Sequence, residues 1–166
     1  MYSGKDFEDD FKSSFPEELL PVLTRLYDTT NGFSGVKNPC DFIAYASPLQ
    51  LCLELKVTQD NRLPFDNITE FQKTELSKRD KIPGILAGIV VCYYNQRRVF
   101  FTPMYVVNQI REKGLKSMHW KDAERYGIEL ELNWKRTRFT VNIESFFDEC
   151  RRYTYDFKVT GVTRRG

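Results

Sequence analysis

The sequence predicts an α/β domain in which a mixed central β-sheet is flanked by helices. Two pairs of apolar, β-branched and aromatic runs, residues 40–46 with 50–57 and 85–94 with 99–101, are each joined by a turn and read as antiparallel strand pairs. Segments of helical periodicity precede, separate and follow those pairs. A length of 166 residues with 41% hydrophobic and 14% aromatic content fills one core and is too short for two comfortable ones.

Residues 4–15 set Phe7, Phe11 and Phe15 four apart, the mark of a helix with one buried aromatic stripe. At about 100° per residue, Glu8 falls roughly 60° from the middle of that stripe and leans over the edge of the core. Asp6, Asp9 and Asp10 turn further round, toward solvent. Pro16 and Pro21 bracket a short segment, and Asn31-Gly32 with Ser34-Gly35 mark a loop. The strands 40–46 and 50–57 meet at the Ser47-Pro48 turn. The second, QLCLELKV, is apolar on both faces except at Glu54 and Lys56, as a central strand would be. A loop over residues 58–66 contains Pro64. Asn67 then opens a helix with Glu70 as its capping-box partner. There Ile68, Gln72 and Leu76 share one face, which sets Gln72 in the apolar stripe.

After Pro83-Gly84 comes the second strand pair, around the 95–98 turn. Pro103 starts a helix that runs to about residue 113 and ends at Gly114. A shorter helix over 120–126 stops at Gly127. Residues 128–133 and 139–143 form a hairpin around Lys135-Arg136-Thr137-Arg138, and a last helix covers 144–152. A single domain therefore spans residues 1–152, and residues 153–166 form a basic C-terminal tail.

Composition and patterning exclude several classes. No apolar run approaches the roughly 20 residues of a membrane span, and the N-terminal residues have no apolar signal region, so a cytoplasmic protein is expected. Cys40, Cys52, Cys92 and Cys150 are scattered without a paired motif, which argues for a reduced compartment, no zinc site and no disulfide framework. Cys52 and Cys92 lie inside apolar runs and read as core. His119, the only histidine, has no cysteine or serine motif around it and reads as a helix-edge residue. Residues 1–60 carry five Lys/Arg against ten Asp/Glu, and residues 61–166 carry twenty against thirteen. The acidic half invites a cation and the basic half a polyanion.

The chemical anomaly is Glu54-Leu55-Lys56 inside a buried strand. Residues two apart project from one face, so the two charges stand side by side where burial costs several kcal/mol each unless they are paired or liganded. Asp41 begins the neighbouring strand, and folding the hairpin back brings its carboxylate toward Glu54. Two converging carboxylates make a hard-oxygen site suited to Mg²⁺, with Mn²⁺ as a substitute. Lys56 beside such an ion can hold or help deprotonate a water. Glu8 at the rim and Gln72 on the facing helix point polar groups at the same place. The plainer alternative is a cross-face ion pair of Glu54 with Lys56 and an ordinary helix polar at Gln72.

At these residues the chain resembles RecU-type Holliday junction resolvases and their phage relatives, in the PD-(D/E)xK nuclease superfamily. The motifs are Gly4…Glu8, Asn38-Pro39-Cys40-Asp41-Phe42, Glu54-Leu55-Lys56 and Asn67-Ile68…Gln72. The likeness continues through the 84–94 and 99–103 strands and Lys116-Ser117…Ala123-Glu124…Gly127, and so spans residues 4 to about 130. It implies a PD-(D/E)xK nuclease-like fold in a homodimer that binds four-way DNA junctions and cuts two strands symmetrically with Mg²⁺. It implies Asp41 and Glu54 as metal ligands, Lys56 as the residue that orients the attacking water, Glu8 as a further ligand or water holder, and Gln72 as the group positioning water or phosphate. A bacterial host cell, or a phage that infects one, is the implied setting, with recombination proteins as candidate partners. Two departures stand out: the loop ahead of Asp41 is short where the family often has a projecting stalk, and residues from 133 on match no family motif.

For DNA, the expected contacts are Lys116 and Ser117, Arg97 and Arg98, Lys135, Arg136 and Arg138, with Arg151, Arg152, Lys158, Arg164 and Arg165 beyond them. Trp120 and Trp134 are candidates for stacking on exposed bases, or for the core. Two other functions compete with junction resolution: a restriction- or repair-type nuclease acting on linear duplex, and a non-catalytic DNA-binding recombination scaffold of the same fold.

Overall fold

A computed structural model describes residues 1–27 and 37–160, with side chains as far as residue 154. The loop expected at Asn31-Gly32 and Ser34-Gly35, and the side chains of Lys158, Arg164 and Arg165, lie outside the described residues. In chain order the elements are α1 (Gly4–Ser13), β1 (Leu23–Arg25), β2 (Phe42–Ala46), β3 (Leu49–Thr58), β4 (Arg62–Pro64), α2 (Glu70–Asp80), β5 (Ile85–Tyr93) and β6 (Arg98–Pro103). They are followed by α3 (Met104–Glu112), β7 (Ser117–His119), α4 (Trp120–Tyr126), β8 (Ile128–Glu129), β9 (Leu132–Lys135), β10 (Arg138–Val141) and α5 (Ile143–Thr160).

Six strands form one sheet in the order β1-β2-β3-β5-β6-β8. The β3–β5 pair is parallel and the other pairs are antiparallel, so the sheet is mixed, as the sequence predicts. A parallel pair needs a crossover, and α2 supplies it. Leu51, Leu53 and Leu55 of β3 face one core with Phe7, Phe11, Phe146 and Phe147, beneath α1 and α5. Cys52 faces the second core with Leu76, Met104 and Val107, beneath α2 and α3. The alternation along β3 therefore turns Glu54 toward α2. All four cysteines are free and buried.

Several boundaries differ from the sequence reading, each for a local reason. The segment expected as a loop over 58–66 contains β4, whose three residues pair with β7 in a small separate sheet. The α2 cap is Thr69, not Asn67: Asn67 ends a 3₁₀ turn and Ile68 is extended and 1% exposed, so the helix starts only afterwards. Its capping-box partner is consequently Gln72, not Glu70. Pro103 flanks α3 as its cap instead of opening it, while Gly114 ends that helix at φ +85°, a left-handed position that suits glycine.

The strand expected over 128–133 is two. Ile128–Glu129 pairs with β6 at the edge of the main sheet, and Leu132–Lys135 forms the separate hairpin with β10. Gly127 stops α4 as expected, and a Cβ there would lie 2.4 Å from the Phe101 carbonyl oxygen, so the close approach of α4 to β6 requires glycine. The last helix runs past residue 152 to Thr160; Tyr153 is 4% exposed and donates to the Tyr126 carbonyl at 3.0 Å. Among the described residues, no helix is long and apolar enough to cross a membrane.

Candidate active site

The aromatic stripe of α1 is seated as its spacing predicts, with Phe7 and Phe11 fully buried, and this leaves Glu8 half-buried at the rim. Asp41 stands just ahead of β2, where its amide donates to the Leu53 carbonyl. Its Oδ2 accepts from the Leu55 amide at 2.8 Å, which fixes the carboxylate against the middle of β3. Glu54 is 2% exposed. Its Oε1 accepts from Lys56 Nζ at 2.9 Å and from Gln72 Nε2 at 2.8 Å. The structure thus brings Glu8, Asp41, Glu54, Lys56 and Gln72 to one end of one sheet.

Arg25 of β1 joins this group. Its guanidinium reaches Glu8 Oε2 at 2.5 Å and Asp41 Oδ1 at 3.3 Å, and donates to the carbonyls of Asp41 and Leu26. It lies 5.0 Å from the Phe42 ring centroid and 5.2 Å from that of Tyr27. Its only signal in the sequence is a single cation within the apolar stretch of residues 19–27.

The electrostatics follow from this crowding. Burial pushes the Glu54 carboxyl up to about 7, and the Asp41 charge adds to the shift while Lys56 opposes it. Burial also raises Glu8, again helped by Asp41 and opposed by Arg25. Among the described residues, no three Asp, Glu, His or Cys side chains stand close enough, as they are held, to share one ion. Arg25 and Lys56 occupy oxygens that such an ion would use. The residues nevertheless fit a divalent cation in one respect: Glu54 Oε2 is buried without a hydrogen-bond partner. A buried anionic oxygen left unpaired is unfavourable, and a hard cation between Glu54 and Asp41 would satisfy it.

The expected DNA contacts divide into two groups. Arg98 is engaged by Glu124 and by Glu129, the latter at 2.7 Å, and Arg138 pairs with Asp10 at 2.7 Å and with Asp6. Arg151 and Arg152 pair with Asp148 and Glu149. Asp10, expected toward solvent, is 7% exposed beneath Arg138 and accepts from the Tyr2 hydroxyl. Lys116, Lys135, Arg136 and Arg97 are exposed, and among the described residues no ion pair holds them. Arg136 and Arg97 both sit at positive φ, at the tips of their turns, and Arg97 lies 4.1 Å from the Trp134 ring centroid. Ser117 accepts weakly from Arg62 at 3.4 Å. Trp134 packs with Phe139 and Tyr94, and Trp120 against Arg98, so both indoles belong to packed clusters.

The family model described as Recombination protein U matches residues 12–143. The match extends past the C-terminal end of the resemblance seen by motif and takes in the β9–β10 hairpin, but it begins after the Gly4…Glu8 motif. No curated protein matches the chain. Among solved structures, the fold is similar to that of Hjc, a Holliday junction resolvase from the archaeon Archaeoglobus fulgidus, with a TM-score of 0.50 and 18% identity. That alignment covers 76% of this chain and 95% of the Hjc chain.

Proposed function

The chain belongs to the Recombination protein U family of Holliday junction resolvases and is an endonuclease; we propose that it resolves four-way DNA junctions by paired, symmetric nicks that depend on Mg²⁺. The observation that carries this reading is the buried, unpartnered Oε2 of Glu54 beside Asp41, Lys56 and Gln72.

In this reading Asp41 and Glu54 hold the ion. Glu8, tied to Arg25, holds a water or joins as a further ligand when that bond opens. When bound, a divalent ion supplies charge neutralisation at the phosphate and polarises the attacking water. The chain's own groups do the rest. Lys56 Nζ, already against Glu54, orients the water by hydrogen bonding and offers positive charge beside it. Gln72 keeps Glu54 Oε1 fixed, so the carboxylate does not swing during the reaction. Arg25 restrains Glu8 and Asp41 and balances their charge. Lys116, Lys135, Arg136 and Arg97 offer cations to backbone phosphates, with Ser117 beside Lys116. A two-fold junction cut twice calls for two copies of this site, so the active species is a homodimer.

The test is a cleavage assay on four-way junctions labelled on each strand, run with Mg²⁺, Mn²⁺ and Ca²⁺. Symmetric nicks in opposed strands with Mg²⁺ or Mn²⁺, lost in Asp41→Ala, are expected. Absence of paired nicks, or equal nicking by the variant, would overturn the proposal.

A further inference from the structure

Beside the acids lies a hollow of about 380 Å³ that shares Glu8 and Arg25 with the site described above. Lys5, Glu8, Asp9 and Lys12 of α1 line one wall, and Arg25, Tyr27 and Phe42 line the other. The four α1 residues are spaced i, i+3, i+4 and i+7, which places them on one helix face. Lys5 and Lys12 thus stand two turns apart, on either side of Glu8.

The opposite wall is a stack. Phe42 is fully buried, Arg25 lies over it, and Tyr27 lies over Arg25. Tyr27 is 66% exposed with the Arg25 guanidinium against its ring, and so presents ring surface to solvent. Its backbone is held in place by Asn38, whose Nδ2 donates to the Tyr27 carbonyl at 2.7 Å, and by the neighbouring Leu26 amide, which donates to the Asp41 carbonyl at 2.8 Å. An exposed aromatic ring on an anchored backbone, one stacking layer from the arginine that grips both Glu8 and Asp41, is a platform for a planar ligand. Cations at the ends of the facing helix suit the phosphates on either side of such a group.

We propose that this hollow receives one unpaired nucleotide at the branch point of the DNA, its base on the exposed ring surface of Tyr27 and its flanking phosphates at Lys5 and Lys12. Bases within intact duplex are stacked on both faces and cannot occupy it; a base at a branch can leave the stack at lower cost. The hollow therefore sets the preference for branched over linear DNA, and it does so through the same Arg25 that orders the acids. This inference rests on the nuclease reading above.

The experiment uses full-length protein and a four-way junction carrying 2-aminopurine at the branch point, alongside a linear duplex of matched sequence. Fluorescence is read on binding in chelator, and nicking of both substrates is read in Mg²⁺. Wild type is expected to change the branch-point fluorescence. Tyr27→Ala is expected to lose that change and about tenfold of the junction-over-duplex preference, as loss of one base stack implies, and Tyr27→Phe to keep both. If Tyr27→Ala keeps either the fluorescence change or the wild-type preference, the proposal is overturned. If wild type nicks neither substrate, the nuclease reading itself fails, which is a separate result.

Discussion

Gln72 is tied to Glu54 by a 2.8 Å hydrogen bond from Nε2 to Oε1, and the other end of the same amide closes the α2 N-terminus on the Thr69 amide at 3.0 Å. One side chain thereby couples the start of the crossover helix to the most buried acid of the site. Gln72→Glu would keep the capping box but set a second carboxylate against Glu54. It should cost about 1–3 kcal/mol of stability near neutral pH, through the lost donor and like-charge repulsion, and reduce junction nicking at least roughly tenfold. Gln72→Ala should lose about 1–2 kcal/mol of stability as well, measured by urea unfolding.

Arg25 is the counter-charge to Glu8 and Asp41, and removing one member of a partly buried group leaves the others uncompensated. Arg25→Met is expected to lose about 2 kcal/mol in chelator. Part of that loss should be recovered in Mg²⁺, because a bound cation replaces the missing charge and stabilises the folded state by mass action. Thermal unfolding with and without Mg²⁺ checks this. An equal loss in both conditions would separate Arg25 from the site.

The prominence of these groups in the sequence varies for physical reasons. Glu54 and Lys56 are conspicuous because charge inside an apolar strand is costly, and Glu8 follows from helical periodicity alone. Arg25 is obscure: its strand is three residues long, and its partners are 16 and 17 residues away in sequence. Asp10 shows the same limit. Periodicity sends it toward solvent, and Tyr2 together with Arg138, 128 residues later, covers it. The Thr69 cap depends on the burial of Ile68, and the split of the 128–133 strand on where β6 begins, neither of which local propensity encodes.

Arg138 and Arg136 occupy neighbouring positions with different surroundings. Arg138 locks β10 to α1 through Asp10, whereas Arg136 projects from the turn. Arg138→Gln should lower stability by about 1 kcal/mol, discounted for its exposure, and leave the salt dependence of junction binding unchanged. Arg136→Gln should do the reverse and reduce the slope of log K against log salt by about one phosphate contact.

Asp80 accepts from the amides of Ala87 at 3.1 Å and Tyr105 at 3.0 Å, pinning α2 to β5 and α3. Burial raises its carboxyl above the ordinary value. The folded protein then holds this proton more tightly than the unfolded chain does. The associated stability is complete below the unfolded pKa, about 3.9, and is lost as pH rises through the folded one. In urea unfolding, the advantage of wild type over Asp80→Asn should therefore be larger near about pH 4 than near about pH 7. An advantage that grew with pH would contradict this assignment.

Calorimetric titration of Mg²⁺ into wild type and into Glu54→Gln, with no DNA present, asks whether Asp41 and Glu54 together hold a divalent ion. Saturable binding in wild type that weakens at least roughly tenfold when Glu54 Oε2 loses its charge is the expected result. Equal binding by the two proteins, or none by either, would mean that these acids do not form a metal centre.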